Sequence, residues 1–172
     1  MENALSPYDA PNAAPTPQAS SCPPELPDGL APIGAPPAVA EGDIVALVVT
    51  RNEALRLPCA LRHLWALGVD RVLLVDNRSN DGTRELAAAD ERVHLVDAPG
   101  SYADSNFGVD WTNAVLDRYA QGHWALVVDA DEQLVFPGSD RAGGLRALCR
   151  HLDAVGSEAL PAILLDCFPK EP

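Results

Sequence analysis

Ile44-Val45-Ala46-Leu47-Val48-Val49 is an unbroken apolar run rich in β-branched side chains. A strand with one wet face alternates apolar and polar residues, so a continuous run points to a strand covered on both faces. Arg71-Val72-Leu73-Leu74-Val75-Asp76 and Trp124-Ala125-Leu126-Val127-Val128-Asp129 repeat the pattern, and each ends on a carboxylate. Val93 to Val96 reads as a shorter strand, Leu134 to Phe136 as a brief extended piece, and Ala162 to Asp166 as a last strand. Helical spacing links them. Leu57, Leu61 and Leu64 share a face, Pro58 fits only a first turn, and Gly68 supplies the stop. Further helices are predicted over residues 82–89, 109–121 and 145–155. Strands alternating with helices predict an α/β fold with a mainly parallel, Rossmann-like sheet flanked by helices. Ligands of such sheets bind beyond the carboxyl ends of the strands. That is where Asn52-Glu53, Asp76-Asn77 and Asp129-Ala130-Asp131 fall.

The flanking sequence differs in kind. Residues 1–42 hold ten of the sixteen prolines and no lysine or arginine. Ala/Pro-rich sequence buries too little apolar surface to offset its ordering entropy, so residues 1–42 read as a disordered leader. Residues 43–172 read as the folded domain. The formal net charge is -13, from 12 basic and 25 acidic residues. Five of the acids lie in the leader, which leaves the domain 20 acids against all 12 basic residues, a net -8. No basic stripe is present to neutralise a nucleic-acid backbone, and an acidic surface disfavours anionic lipid. No apolar run approaches the roughly 20 residues of a membrane span, and no basic segment precedes an apolar one as in a secretory signal. Cys22, Cys59, Cys149 and Cys167 match neither a zinc pattern nor a CxxC redox motif. Cys59 and Cys149 fall on apolar helical faces, where buried free thiols are common. The expectation is a cytoplasmic protein with reduced thiols.

Three clusters carry the chemistry. Asp129-Ala130-Asp131-Glu132 places three acids in four positions just after a strand. In an extended segment Asp129 and Asp131 point the same way and can approach one divalent cation, with Mg2+ or Mn2+ suited to hard oxygen donors. A solvated acidic turn explains the same residues equally well. Asp76-Asn77-Arg78-Ser79-Asn80-Asp81-Gly82-Thr83 comes next. Asp76 can accept a hydrogen bond from a base imide, whereas Asp81 and Thr83 read as turn and cap residues. In Thr50-Arg51-Asn52-Glu53, Glu53 can accept from a ribose hydroxyl. Arg51 suits either a phosphate or an ion pair with a neighbouring carboxylate. His63, His94, His123 and His151 do not sit at metal-ligand spacing on one face and read as core or surface residues.

The order Thr50-Arg51-Asn52-Glu53, then Asp76-Asn77-x-Ser79-x-Asp81-Gly82-Thr83, then Asp129-x-Asp131-Glu132 resembles the GT-A glycosyltransferases of family 2. It is closest to the bacterial subgroup with a DADE-type motif, and Leu164 to Pro169 is similar to a segment downstream in that subgroup. The resemblance implies a GT-A-like fold, a nucleotide-sugar donor, often UDP-linked, and a divalent metal, Mn2+ or Mg2+. By the same resemblance Thr50, Asn52 and Glu53 line the nucleoside pocket and Asp76 meets the base. Asp129 faces the ribose or the metal, and Asp131 ligates the metal at the diphosphate. The segment from Ser101 to Trp111 falls where family members contact the donor. The acceptor, whether glycan, lipid-linked or small molecule, is not specified. Inverting members carry a carboxylate base well after the DxD strand, and Asp166 is the only late acid at a strand end. Residues 43–172 are therefore expected to be a partial domain, incomplete at its C-terminal side, with the catalytic base unassigned. A catalytically inactive nucleotide-binding remnant is the alternative. A nucleotidyltransferase is disfavoured because Val49 to Glu53 lacks the glycines of a phosphate loop. A non-enzymatic interaction domain with solvated acidic loops is the last reading.

Overall fold

The computed structural model describes residues 25–27 and 29–165. In chain order the elements are β1 (Ala31–Pro32), β2 (Val45–Thr50), α1 (Leu57–Leu67), β3 (Arg71–Asp76), α2 (Thr83–Ala88), β4 (Val93–Asp97), α3 (Val109–Tyr119), β5 (Ala125–Val127) and α4 (Gly144–Ala154). The strands form one sheet in the order β1-β4-β3-β2-β5. β2 to β5 are parallel, and β1 alone runs antiparallel, against β4. The α/β architecture and the mainly parallel sheet are as the sequence predicts.

Right-handed crossovers decide which face each helix covers. The chain steps from β2 to β3 to β4 in one direction, so α1 and α2 share a face. It then returns past β2 to β5, which puts α3 on the other. One core accordingly joins Ala46, Val48, Val72, Leu74 and Leu95 to Leu57, Leu61 and Leu64 of α1, Ala87 of α2 and Leu145 and Cys149 of α4. The second joins Val45, Leu47, Leu73, Val75 and Val96 to Trp111 and Val115 of α3. The reversal of direction lies between β2 and β5. The chain leaving β2 and the chain leaving β5 both enter the first core, through α1 and α4, so the loops after these two strands lie side by side at the carboxyl edge.

Four expectations need correction. The leader was predicted to be disordered through residue 42, yet Ala31–Pro32 pairs with β4 and Leu30 is 7% exposed in the second core. Proline fits this strand because it lies at the sheet edge, where no ladder N–H is needed. Residues 1–24 lie outside the described residues. The strand predicted over Trp124 to Asp129 is shorter and is not buried on both faces: β5 is an edge strand, and Val127 is 56% exposed. Its inward residues Leu126, Val128 and Ala130 reach the first core, but α3 packs over β2 and β3 and leaves the outer face of β5 bare. The predicted last strand is absent over residues 162–165, which are exposed, and Asp166 lies outside the described residues. Cys59 is exposed rather than buried on α1, while Cys149 is buried and both are free thiols. Cys22 and Cys167 lie outside the described residues.

Candidate functional site

The carboxyl ends of β2, β3 and β4 are level. Thr50 is in register with Asp76, and Asp76 with Asp97. Thr50 is 2% exposed, and its hydroxyl donates to the Val75 carbonyl at 3.4 Å. Asp76 is fully buried. Its Oδ2 accepts from the Ser79 N–H at 3.1 Å and from Arg84 Nε at 2.5 Å. Arg84 also reaches Asp97, so one guanidinium serves two carboxylates. Burial works against that cation, but its bonds to Asp76 and Asp97 outweigh burial and raise its pKa. Asp76 Oδ1 is buried without a hydrogen-bond partner among the described residues. An unpaired buried carboxylate oxygen carries an unmet desolvation penalty and is a natural acceptor for a ligand N–H.

The motif after β3 is mostly a latch. The Asn52 N–H donates to Ser79 Oγ at 2.8 Å, and Asn52 Oδ1 accepts from the Asn80 N–H at 2.9 Å. The Glu53 N–H donates to Thr83 Oγ1 at 2.8 Å, and the Ala54 N–H to Asp81 Oδ2 at 3.0 Å. Asp81 Oδ1 accepts from the Thr83 hydroxyl and N–H, and the hydroxyl bond leads the effects that lower the Asp81 pKa. Four cross-links therefore join the β2–α1 loop to the β3–α2 loop. Asn77 adds a third loop: its Nδ2 donates to the Ala98 and Gly100 carbonyls at 2.7 and 3.0 Å. Asn52 makes its two bonds in a left-handed conformation, φ 61°. Asparagine tolerates that region better than most residues.

The acidic turn follows β5 across the switch point. The Asp129 N–H donates to Glu132 Oε2, and the Glu132 N–H to the Asp129 carbonyl, both at 3.1 Å. Desolvation raises the Asp129 pKa, and the charges of Glu132, Asp131 and Glu53 push it further. The structure thus brings Asp129, Asp131, Glu132 and Glu53 within electrostatic reach of one another. Asp131 and Glu132 line a shallow cleft of about 280 Å³ with Leu55, Arg56, Cys59, Ala60, Ala130 and Gln133. Thr50, Asn52, Glu53, Asp76 and Asp129 do not line it, and the segment expected to be extended is a turn at Ala130–Asp131 rather than a strand that aims Asp129 and Asp131 the same way. Asp76 belongs to the same sheet edge, two strands away, but lies beneath Arg84 rather than in the cleft.

Neither protein-family models nor curated proteins give a match to the chain.

Among the described residues, no three His, Cys, Asp or Glu side chains are grouped as a ready metal cage. The donor chemistry still fits a hard cation. Mg2+-type sites commonly take one or two carboxylates and complete the octahedron with water and substrate phosphate. Asp131 in the cleft supplies such a carboxylate, while the Asp129 carboxyl is pushed up first by desolvation and then by the charges of Glu132, Asp131 and Glu53. The sequence reading missed Arg84. Its only signal is helical spacing: one residue into α2, it points back to the strand ends that carry Asp76 and Asp97.

Proposed function

We propose that the chain is the nucleotide-sugar-binding part of a metal-assisted glycosyltransferase with a GT-A-like sheet, taking a UDP-linked donor and an acceptor hydroxyl. One observation carries this reading: the loops bearing Glu53 and Asp129-Asp131 face each other across the β2/β5 switch point, with Asp76 on the adjacent strand. That geometry supports a diphosphate held at the acidic turn and a nucleoside extending over β2 towards β3. Asp131 and Asp129 would hold the cation, which supplies charge neutralisation to the departing diphosphate. Glu53 accepts from a ribose hydroxyl. Thr50 and Asn52 shape the pocket wall through the latch rather than through free side-chain atoms. Asp76 Oδ1, buried and without a partner among the described residues, is the acceptor left for a base imide N–H. The same reading places the protein in the cytoplasm, where nucleotide sugars and reduced Cys59 and Cys149 thiols coexist. No helix among the described residues is long and apolar enough to cross a membrane.

Titration calorimetry with UDP and Mn2+ tests the reading. Binding is expected, with a loss of at least about tenfold in Asp131→Ala. Absence of binding, or binding indifferent to that substitution, removes the basis for it. Release of UDP from a UDP-sugar then separates a transferase from a binding module, because the module binds donor without turnover.

A further inference from the structure

The loop before α3, which the family resemblance assigns to the donor, carries a feature that the donor reading above does not use. Residues 101–108 form a built loop rather than a slack one. The Ser105 hydroxyl donates to the Tyr102 carbonyl at 2.8 Å and accepts from the Gly108 N–H at 3.1 Å. Asn77 ties the loop's start to the end of β3. Tyr102 packs edge-on to Phe107, with centroids 6.0 Å apart at 79°, and tilts on the buried Trp111 at 6.1 Å. Yet Tyr102 is 46% exposed and Phe107 68%. Phe107 also holds φ 55°, between Asn106 at 52° and Gly108 at 82°. Asparagine and glycine accept this region, but a left-handed phenylalanine is rare and costs backbone strain while most of its ring stays in solvent.

The position of the pair indicates its use. A Cβ at Gly108 would stand 2.9 Å from the Tyr102 ring and 3.6 Å from Val49 Cγ1, so the loop lies over the carboxyl end of β2. Continuing the Leu47–Val127 register by two residues brings Asp129 level with Val49. The aromatic pair and the acidic turn therefore border one surface, floored by the exposed Val127 and edged by Val109, which is 47% exposed. Aromatic faces beside carboxylates match a pyranose ring. Its C–H face is apolar and stacks on an aromatic, while its hydroxyls donate to carboxylates. The acidic border disfavours an anionic ligand. Because this surface lies on the α3 face, opposite the Asp76 side chain, it suits the sugar that receives rather than the nucleotide that gives.

We infer that Tyr102 and Phe107 form a stacking platform for an uncharged pyranose of the acceptor, a conclusion that rests on the glycosyltransferase reading. Saturation-transfer NMR on the full chain tests it with the methyl glycosides of glucose, galactose, mannose and N-acetylglucosamine as probes. At least one should show saturation concentrated on the C–H protons of one ring face. Phe107→Ala and Tyr102→Ala should each weaken that signal about tenfold, and Phe107→Trp should retain it. Phe107→Gly removes the ring while relieving the left-handed backbone, so its loss of signal cannot be put down to misfolding. Mn2+–UDP binding is measured in the same four variants, and a loss of UDP binding in step with the glycoside signal assigns the pair to the donor and overturns the acceptor platform. If UDP fails to bind the unaltered chain while a glycoside does, the donor reading falls and the platform stands. The platform is overturned if no glycoside is saturated, or if the signal survives Phe107→Gly. It is equally overturned if only the sugar of a UDP-sugar responds, or if the patch is instead occupied by a second copy of the chain.

Discussion

At the scale of single residues the acidic turn concentrates the competing demands. Asp129 is partly desolvated and faces Glu132, Asp131 and Glu53, and these effects raise its pKa. Folding therefore favours its acid form. That contribution is fully present below the ordinary aspartate pKa of about 3.9 and is lost as pH climbs through the raised value. At neutral pH the ionised side chain destabilises the fold, by under about 1 kcal/mol because solvent screens this exposed site. Asp129→Asn mimics the neutral form at every pH. It should raise the thermal midpoint at neutral pH, make no difference in acid below the ordinary aspartate value, and weaken Mn2+–UDP binding. Thermal unfolding across pH, paired with calorimetry, checks both halves. A midpoint that falls at neutral pH would show that Asp129 is held by favourable bonds rather than crowded by charge. Asp76 is a different case, because its paired oxygen is structural and only its unpaired Oδ1 is left for a ligand. The sequence marked Asp76 as a strand-end carboxylate, whereas the helical position of Arg84 could not by itself place it above Asp76, since that contact depends on where α2 lands.

At the scale of elements, legibility followed burial. β2 and β3 are central strands with both faces covered, and their continuous apolar runs locate them to within a residue. α1 was equally clear, because Pro58 can stand only in a first turn and Gly68 ends the helix at φ 96°. Edge strands do not announce themselves this way. β1 contains a proline and only two residues, and it is ordered by what it pairs with rather than by its own composition. Residues 162–165 have the apolar look of a strand but no neighbour to pair with among the described residues. A pair of substitutions separates composition from position. Leu30 is 7% exposed, so Leu30→Ala should destabilise by about 2 to 3 kcal/mol. Leu164 is 69% exposed, so Leu164→Ala should change stability by less than about 0.5 kcal/mol. Urea unfolding measures both, and the reverse order would mean that β1 is not part of the folded unit.

At the scale of the whole molecule, charge is the unresolved tension. A net -13 opposes compaction, and the surface has too few basic groups to offset it. Part of that repulsion is diffuse and any salt should screen it, while part acts on Asp129 from the charges of Glu132, Asp131 and Glu53 near the sheet's carboxyl edge. The two parts respond differently to cations. Sodium screens both without choosing a site. A divalent ion bound by the folded turn and not by the unfolded chain stabilises in proportion to the logarithm of its concentration over its dissociation constant. At about tenfold over that constant the gain is roughly 1.4 kcal/mol, or about 3 to 6 °C for a chain of this size. Mg2+ or Mn2+ should therefore raise the thermal midpoint beyond sodium chloride at matched ionic strength, and Asp131→Ala should remove the excess while keeping the sodium response. Equal midpoints in the two salts would reduce the turn to a solvated acidic loop. The sheet would then keep its switch point and its latch with no cation-binding role at that edge.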